Sequence, residues 1–265
     1  MITRWTNANS PCADAEYTDS RHTGTRHTDS GYAGLWSFVD SSEFCRQKIL
    51  ANRHQLTTQL QLSAEPLWLK QVHGVQVLKV TEQHQENAEL VADASVSDLP
   101  SRACVIQSAD CLPVLLCSDD GRVVAAAHAG WRGLANGVLS ATVEAMNVEA
   151  AQLSAYLGPA ISQKHFEVGS EVREAFIERF GSVKQGRANS ARKVLISDCF
   201  RPSALRAGYY YADLYQLARL ALQDSGLTRI FGGTDCTYGE KERFYSYRRD
   251  GQQAGRMASL IWIED

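Results

Sequence analysis

Two apolar segments around an Asp-Gly turn constrain the fold of this chain more than any other feature of its sequence. CLPVLLC occupies positions 111–117, SDDG positions 118–121 and RVVAAAH positions 122–128. An Asp-Gly pair between two such segments is a strong local signal for a β-hairpin. Both segments are apolar at successive positions, which is typical of strands buried on both faces. The sequence therefore predicts an antiparallel hairpin that the rest of the protein covers.

The pattern around this hairpin mixes helices with strands. It predicts helices over 41–60 (capped by Ser41 or Ser42), from about 131–134 onward, over 169–181 and over 210–227. Strands are expected on either side of His73-Gly74, before the turn in LGPAI, in TRIFGG and in the final MASLIWIE. Residues 1–40 lack periodicity and are expected to be irregular. No linker or internal repeat divides the chain, so we predict one α+β domain over 1–265, with a mixed β-sheet and packed helices.

Composition excludes several classes of protein. The formal net charge of -3 argues against a broad electrostatic contact with nucleic acid or with an acidic membrane. No apolar run approaches the ~20 residues that span a bilayer, and the polar N-terminus lacks the apolar core of a signal peptide. The seven cysteines form an odd set without a CxxC pair, which fits reduced thiols. We expect a cytoplasmic enzyme with a small-molecule substrate; the sequence does not indicate its oligomeric state.

Cys111 and His128 stand at the same end of the predicted hairpin. A turn centred on residues 119 and 120 places Cys111 opposite His128, whereas one centred on 120 and 121 places it opposite Gly130. Directly opposed Cβ atoms lie about 4.5–5.5 Å apart. In either register a thiolate and an imidazole come close enough to share a metal ion or a proton.

His73 supplies a third ligand type at the break between two strands. Two histidines and one cysteine leave one coordination position open, which is the pattern of a catalytic zinc site, and the set also suits copper. Asp110 is a candidate proton carrier because it precedes Cys111. Arg132, between two glycines where a helix begins, is a candidate for binding an anion or the substrate. Cys104 and Cys117 lie inside apolar runs and are predicted to be structural.

Several blocks of the sequence closely resemble the YfiH-like family, which is also called the laccase-domain or multicopper polyphenol oxidoreductase family and, more recently, purine nucleoside phosphorylases. The blocks are WLKQVHG (68–74), ADAS (92–95), SADCLPVLLC (108–117), VAAAHAGWRGL (124–134), LGPAI (157–161), FEVG (166–169) and SYRRDGQQAGRMASLIW (246–262). The resemblance covers about four-fifths of the chain, from Asn52 to the C-terminus. It implies a compact single-domain α/β fold grouped with Cys–His hydrolases.

The resemblance also implies a zinc-dependent enzyme of purine nucleosides. Phosphorolysis of adenosine, inosine and methylthioadenosine would be its main activity, with adenosine deamination as a further one. The family's metal ligands correspond to His73, Cys111 and His128. The chain departs from the family pattern over GYAGLWSFVDSSEFCRQKILANR (31–53), where only Asn52 and Arg53 match well. The atypical segment 1–50 reflects either divergence or an upstream reading-frame error, which resequencing of the DNA distinguishes.

Three other functions are compatible with the same residues. A metal-free hydrolase or amidase would use Cys111 as nucleophile and His128 as base. A copper-dependent polyphenol oxidase would need many histidine ligands in HxH pairs, whereas the chain has seven histidines and no such pair. A binding module without catalysis would leave the three ligand residues without a role.

Overall fold

The computed structural model describes residues 2–4, 16–18, 43–84, 89–100, 102–181 and 196–264. Within these ranges the helices are α1 (Glu43–Gln59), α2 (Trp131–Asn136), α3 (Val138–Met146), α4 (Ser170–Gly181), α5 (Leu214–Asp224) and α6 (Tyr247–Asp250). The strands are β1 (Ile2–Arg4), β2 (Glu16–Thr18), β3 (Leu69–Lys70), β4 (Val77–Lys79), β5 (Leu90–Val91), β6 (Ala94–Ser97), β7 (Cys104–Ser108), β8 (Leu112–Ser118), β9 (Val124–Ala129), β10 (Leu153–Leu157), β11 (Glu167–Gly169), β12 (Phe200–Pro202), β13 (Tyr209–Ala212), β14 (Arg229–Gly232) and β15 (Met257–Ile261).

The main sheet contains the predicted hairpin at its centre. Its six strands follow the order β14-β10-β8-β9-β6-β4. The two outermost pairs, β10–β14 and β4–β6, are parallel, and the three inner pairs are antiparallel. The prediction of an α+β fold with a mixed sheet is therefore confirmed.

Both faces of the central hairpin are buried, as its unbroken apolar runs predicted. Successive side chains of a strand point to opposite faces. Val114 and Leu116 accordingly join the core formed with helices α2, α3 and α5. Leu115 and Ala126 point the other way, into a core shared with β7 and β15. Because the hairpin packs against a core on each face, its position is fixed, and so is that of the residues at its open end.

The prediction of a helix over 210–227 was wrong in its first turn. Residues Tyr209–Ala212 form β13, which pairs with β11 and β12, and α5 begins only at Leu214. Three consecutive tyrosines favour a strand. Asp213 then caps the helix, because its side chain accepts a hydrogen bond from the backbone N–H of Gln216.

The other predicted elements fall close to their expected places. Helix α1 lies within 41–60, although its proposed caps Ser41 and Ser42 lie outside the described residues. The region 1–40 was expected to be irregular, yet β1 and β2 pair there as a short antiparallel ladder. In the described parts of the chain, no helix has both the length and the apolar character needed to cross a membrane. The treatment of 1–50 as an atypical segment of one domain stays a prediction.

Candidate metal centre

The register of the central hairpin selects one of the two predicted alternatives. Pro113 pairs with His128 and Leu112 pairs with Ala129. Continued by one residue, this register places Cys111 opposite Gly130, as expected for a turn centred on residues 120 and 121. His128 therefore lies two positions from direct opposition, but at the same end of the hairpin as Cys111.

His73, Cys111 and His128 converge at this end of the hairpin. Their ligand atoms all lie within 4.8 Å of one another. Cys111 Sγ lies 3.7 Å from His73 Nε2, and the two imidazole rings meet edge to face with centroids 4.8 Å apart. Their exposure differs, since His128 is buried, Cys111 is partly exposed and His73 is exposed. One side of the cluster is therefore open to a ligand.

Asp93 connects two of these three residues. Its buried carboxylate accepts a hydrogen bond from His128 Nδ1 at 2.9 Å. It also accepts hydrogen bonds from the backbone N–H groups of Val72, His73 and Gly74, at 3.1, 2.8 and 2.7 Å. One carboxylate thus orients the ring of His128 and closes the loop that carries His73. The bond at Nδ1 leaves Nε2 of His128 as the nitrogen available to a metal ion.

The loop that presents His73 is held at its other end by Gln71. The side chain of Gln71 donates to the backbone carbonyl of Gln107 and accepts from the backbone N–H of the same residue, both at 2.8 Å. His73 itself has a φ of 61°, a left-handed conformation that is costly for a residue with a Cβ. The bonds from Asp93 and Gln71 hold the backbone in this conformation and so place the imidazole beside Cys111.

Electrostatics at the cluster favour a thiolate. Burial opposes ionisation of Cys111, but hydrogen bonds and positive charge from His128 and His73 outweigh it and lower the pKa of the thiol to about 6. Burial likewise disfavours the charged form of His128, yet Asp93 and Cys111 raise its pKa to about 9. For Asp93, hydrogen bonds from His128 and from the backbone outweigh burial and lower the pKa of the carboxyl.

The donor set fits a zinc or copper ion. Two imidazoles and one thiolate are preferred ligands of both metals, and three protein ligands leave a position for substrate. Because a cysteine must lose its proton to bind metal, the low pKa of Cys111 reduces the cost of binding at neutral pH. The carboxylate of Asp93 behind His128 is the partner that metal-bound histidines usually have.

Gly130 leaves room for His73 and Cys111 on the exposed side of the cluster. A Cβ atom at this position would lie 2.9 Å from His73 Cδ2 and 3.0 Å from Cys111 Sγ. Both distances are far shorter than ordinary contacts between such atoms. The φ of Gly130 is -61°, which any residue can adopt, so its backbone conformation does not require glycine. Glycine is required there because the side chains of His73 and Cys111 approach it closely.

We expect Gly130→Ala to weaken metal binding by about tenfold or more, because either the His73 ring or the Cys111 sulfur must move to make room for the added Cβ. The measurement is the dissociation constant for Zn²⁺, obtained by competition with a chromophoric chelator. Gly239→Ala is the matched control, because a Cβ there meets nothing closer than 3.5 Å. Equal zinc affinity in the Gly130 variant and the wild type would contradict the close approach.

A cavity of about 690 Å³ opens over the ligand cluster. This volume is in the range typical of small-molecule sites. Three arginines lie in its wall, each over an aromatic ring: Arg132 over Trp131 at 4.4 Å, Arg248 over Phe166 at 5.5 Å, and Arg256 over Tyr247 at 5.5 Å. The cavity therefore combines cations for an anionic group with flat rings for a planar one.

The sequence-predicted residues Arg132 and Asp110 both line this cavity. Arg132 is exposed in the first turn of α2. Asp110 is buried, with its Oδ1 accepting from the Thr237 hydroxyl and its Oδ2 from the Arg248 backbone N–H, both at 2.6 Å. Its φ of 90° turns the chain sharply just before Cys111. The two hydrogen bonds fix the carboxylate at the edge of the cavity.

The structural roles predicted for Cys104 and Cys117 are compatible with their positions. Cys104 is buried in β7, where burial raises the pKa of its thiol to about 12. Cys117 is partly exposed within β8. Neither belongs to the one group of three or more His, Cys, Asp or Glu ligands that the described residues form.

The local sequence pattern does not identify several residues of the site. Asp93 enters only as part of the ADAS block of the family resemblance, although an acidic residue directly before an apolar strand is a usable signal. The aromatic residues Trp131, Phe166 and Tyr247 and the arginines at 248 and 256 carried no spacing that joined them to the hairpin. They come from distant segments, so only the folded chain brings them together.

The chain is similar to a family model and to named bacterial proteins. The family described as "Multi-copper polyphenol oxidoreductase laccase" matches residues 30–264. The chain is 47% identical over 214 residues to purine nucleoside phosphorylase PA4543 of Pseudomonas aeruginosa, covering 81% of this chain and 80% of that protein. It is 46% identical over 212 residues to purine nucleoside phosphorylase YfiH of Escherichia coli, with coverage of 80% and 79%.

The fold has close counterparts among solved structures. The crystal structure of Neisseria meningitidis protein NMB0706 superimposes with a TM-score of 0.76 at 39% identity, covering 91% of each chain. The structure of YlmD from Geobacillus stearothermophilus gives a TM-score of 0.71 at 25% identity, covering 83% of this chain and 82% of that one. From the family match and these relatives, this chain belongs to the YfiH-like family, the multi-copper polyphenol oxidoreductase laccase family.

Proposed function

We propose that this chain is a purine nucleoside phosphorylase that acts on adenosine, inosine and methylthioadenosine. The observation that carries the proposal is the cavity that joins the cluster of His73, Cys111 and His128 to a wall of arginines and aromatic rings. A nucleoside and phosphate need those features, since the base is planar and the co-substrate is an anion. The names of the Pseudomonas and Escherichia relatives support the same substrate class.

The reaction exchanges one bond at the anomeric carbon. A phosphate oxygen forms a bond to C1′ while the bond from C1′ to the purine nitrogen breaks, and the purine leaves with that electron pair. The products are the free base and the sugar 1-phosphate. Positive charge develops on the ribose and negative charge on the base, so the site must hold phosphate against one face of C1′ and stabilise the leaving purine.

The chain offers a group for each of these tasks. Arg132 is exposed in the cavity wall and would bind phosphate through its planar guanidinium. The rings of Phe166 and Tyr247 give the purine flat apolar surfaces. Asp110, held by Thr237 and by the backbone of residue 248, is our candidate for moving a proton at the edge of the cavity.

His73, Cys111 and His128 would hold the metal ion, and we propose zinc, with copper as the second candidate. A bound ion would supply Lewis-acid stabilisation of developing negative charge in the cavity. The role of Asp93 is to keep the His128 ring and the His73 loop in place for that ion. The chain itself therefore contributes position and charge.

Adenosine deamination is a second candidate activity of the same site. It replaces the exocyclic amino group at C6 by oxygen from water and releases ammonia. The specific observation in its favour is Asp110, a carboxylate fixed in the residue before Cys111 and facing the same cavity. Deamination needs such a group to carry protons between water and the departing amine.

A copper polyphenol oxidase fits the arrangement less well, whereas a metal-free Cys–His hydrolase fits the same contacts. His128 is engaged through Nδ1 with a buried aspartate, which a Cys–His hydrolase also uses, so metal content must separate this alternative. A multicopper oxidase needs several ligand groups, whereas the described residues contain one group of three or more such ligands.

The proposed function is tested by metal analysis followed by an inosine assay. Protein purified without added metal should contain about one zinc per chain, since three ligands define one site. It should release hypoxanthine from inosine only when phosphate is present, and removal of the ion by chelation should abolish the release. Equal release without phosphate would indicate a hydrolase, and full activity in metal-free protein would refute the metal site.

We expect Arg132→Ala to raise the KM for phosphate by about tenfold or more, while the KM for inosine changes little. Arg132→Lys should recover only part of this loss, because lysine keeps the charge but not the planar fork. The measurement is steady-state kinetics with phosphate and inosine varied separately. Arg122→Ala is the matched control, since that arginine is exposed beside the hairpin turn and away from the cavity. Unchanged KM values and kcat in both Arg132 variants would show that the residue binds neither substrate.

A further inference from the structure

A second cluster of reactive side chains surrounds Cys236, outside the metal centre. Its sulfur lies 3.3 Å from His165 Nδ1, accepts a hydrogen bond from the Ser162 hydroxyl at 3.0 Å, and accepts another from the Gly239 backbone N–H at 3.4 Å. Cys236 and His165 are both partly exposed. The cluster brings together two loops that are 71 residues apart in the sequence.

The surroundings hold both members of the Cys236–His165 pair in place. The ring of His165 stacks on Tyr238, with centroids 4.6 Å apart and planes inclined by 23°. The backbone N–H of Cys236 donates to Glu240 Oε1 at 2.7 Å, and the N–H of Thr237 donates to the carbonyl of Ala160 at 3.0 Å. A thiol and an imidazole at this distance are therefore a fixed feature of the fold.

The pair does not have the composition of a metal site. Among the described residues, the group formed by His73, Cys111 and His128 is the only one with three or more converging His, Cys, Asp or Glu ligands. The polar neighbours of the Cys236 sulfur are instead hydrogen-bond donors, a hydroxyl and an amide. Donors around a sulfur stabilise its thiolate, which is the nucleophilic form of cysteine.

We infer that Cys236 is a second reactive thiol of this protein, activated by His165 and modified by hydroperoxides. His165 Nδ1 takes the proton from the Cys236 thiol, and the sulfur attacks the distal oxygen of the hydroperoxide. The S–O bond forms as the O–O bond breaks, and the departing alkoxide or hydroxide takes the proton from His165. The sulfur loses two electrons to the peroxide, and the products are a sulfenic acid at Cys236 and an alcohol or water.

The position of Cys236 links its modification to the cavity. Thr237, the next residue, donates the hydrogen bond that fixes Asp110, which itself precedes Cys111. The carbonyls of Thr237 and Tyr238 accept hydrogen bonds from Arg249 at 2.9 and 3.0 Å, so the segment is part of the wall structure behind the cavity. An added oxygen on the sulfur changes the hydrogen bonds that Ser162 and Gly239 donate to it, and that change acts on this segment.

The test measures the rate at which each cysteine of the full-length, zinc-loaded protein forms a sulfenic acid with hydrogen peroxide, with dimedone as the trap. Trypsin releases Cys236 as the single cysteine of IFGGTDCTYGEK (230–241), so its labelling is followed separately. Cys117 is the internal reference, because it is also partly exposed. Fragment ions distinguish it from Cys104 and Cys111 in the same tryptic peptide. We expect Cys236 to react at least about tenfold faster than Cys117 at neutral pH.

His165→Phe keeps a ring that can stack on Tyr238 but removes the nitrogen beside the sulfur. We expect this variant to lower the rate at Cys236 to about that of Cys117, whereas His54→Phe, an exposed histidine on α1, leaves it unchanged. Ser162→Ala removes one donor to the thiolate and should slow the reaction several-fold, which keeps the test valid if the His165 variant does not fold. A Cys236 no faster than Cys117, or a rate insensitive to both substitutions, would overturn the inference.

Discussion

Replacing Asp93 by alanine should destabilise the metal-free protein by about 2–4 kcal/mol, because three backbone N–H groups and the His128 ring lose their acceptor together. The backbone donors are those of Val72, His73 and Gly74. The loop then relaxes from the left-handed conformation at His73, and zinc affinity should fall by 10–100-fold or more. Chemical denaturation of the metal-free protein measures the first effect, and chelator competition measures the second.

Asp98→Ala is the matched control for this prediction. Asp98 lies at the other end of β6, but its carboxylate is exposed and pairs with Lys79 at the surface at 3.1 Å. Exposed ion pairs contribute about 0–1 kcal/mol, so both stability and zinc affinity should stay near the wild-type values. If Asp93→Ala behaved like this control, Asp93 would not be the residue that positions the cluster.

Replacing Cys111 by serine should remove most of the metal binding and reduce kcat/KM for inosine phosphorolysis by at least about 10³-fold. Serine keeps the size of the side chain but offers a hydroxyl, which stays protonated at neutral pH and is a poor ligand for zinc. The thermal unfolding temperature should change little, since Cys111 lies at the partly exposed end of the hairpin. Metal content, steady-state kinetics and thermal unfolding on one preparation separate these effects.

A loss of activity in the Cys111 variant does not by itself distinguish a ligand from a nucleophile. The distinction comes from wild-type protein stripped of metal, which should be inactive and should recover activity when zinc is restored. A metal-free hydrolase would keep its activity after stripping. Cys117→Ser is the matched control, because Cys117 lies in β8 of the same hairpin but outside the group of three ligands. It should keep both its zinc and its activity.

The central hairpin shows how far local sequence determines this structure. Its Asp-Gly turn and its two strands, which are apolar on both faces, are signals contained within 111–128. The structure confirms that the two strands pair and that both of their faces are buried. The sequence left two registers open, since Asp119, Asp120 and Gly121 allow the turn to centre in either of two places. The choice depends on hydrogen bonds around the turn, among them that from the N–H of Gly121 to the carbonyl of Ser118 at 2.9 Å.

The incorrect helix start at 210 has a similar physical cause. Helical spacing of apolar residues continues back from α5 into the tyrosines, so the pattern does not mark where the helix begins. Pairing of β13 with β11 and β12 decides it, and those partners lie up to 44 residues away, as for Glu167 and Tyr211. Long-range pairing outweighs a local preference of a few tenths of a kcal/mol per residue.

The sequence by itself determined the hairpin, the α+β class and the closeness of Cys111 to His128, because a turn and its strands lie in one continuous segment. Apart from the family resemblance, only the tertiary structure brings His73 beside Cys111, because the contact depends on Asp93, a buried residue that binds the loop of His73 and the ring of His128. The cavity was decided in the same way. Its aromatic and cationic wall comes from segments as distant as Leu69 and Arg256, and no local pattern records which distant residues will pack side by side.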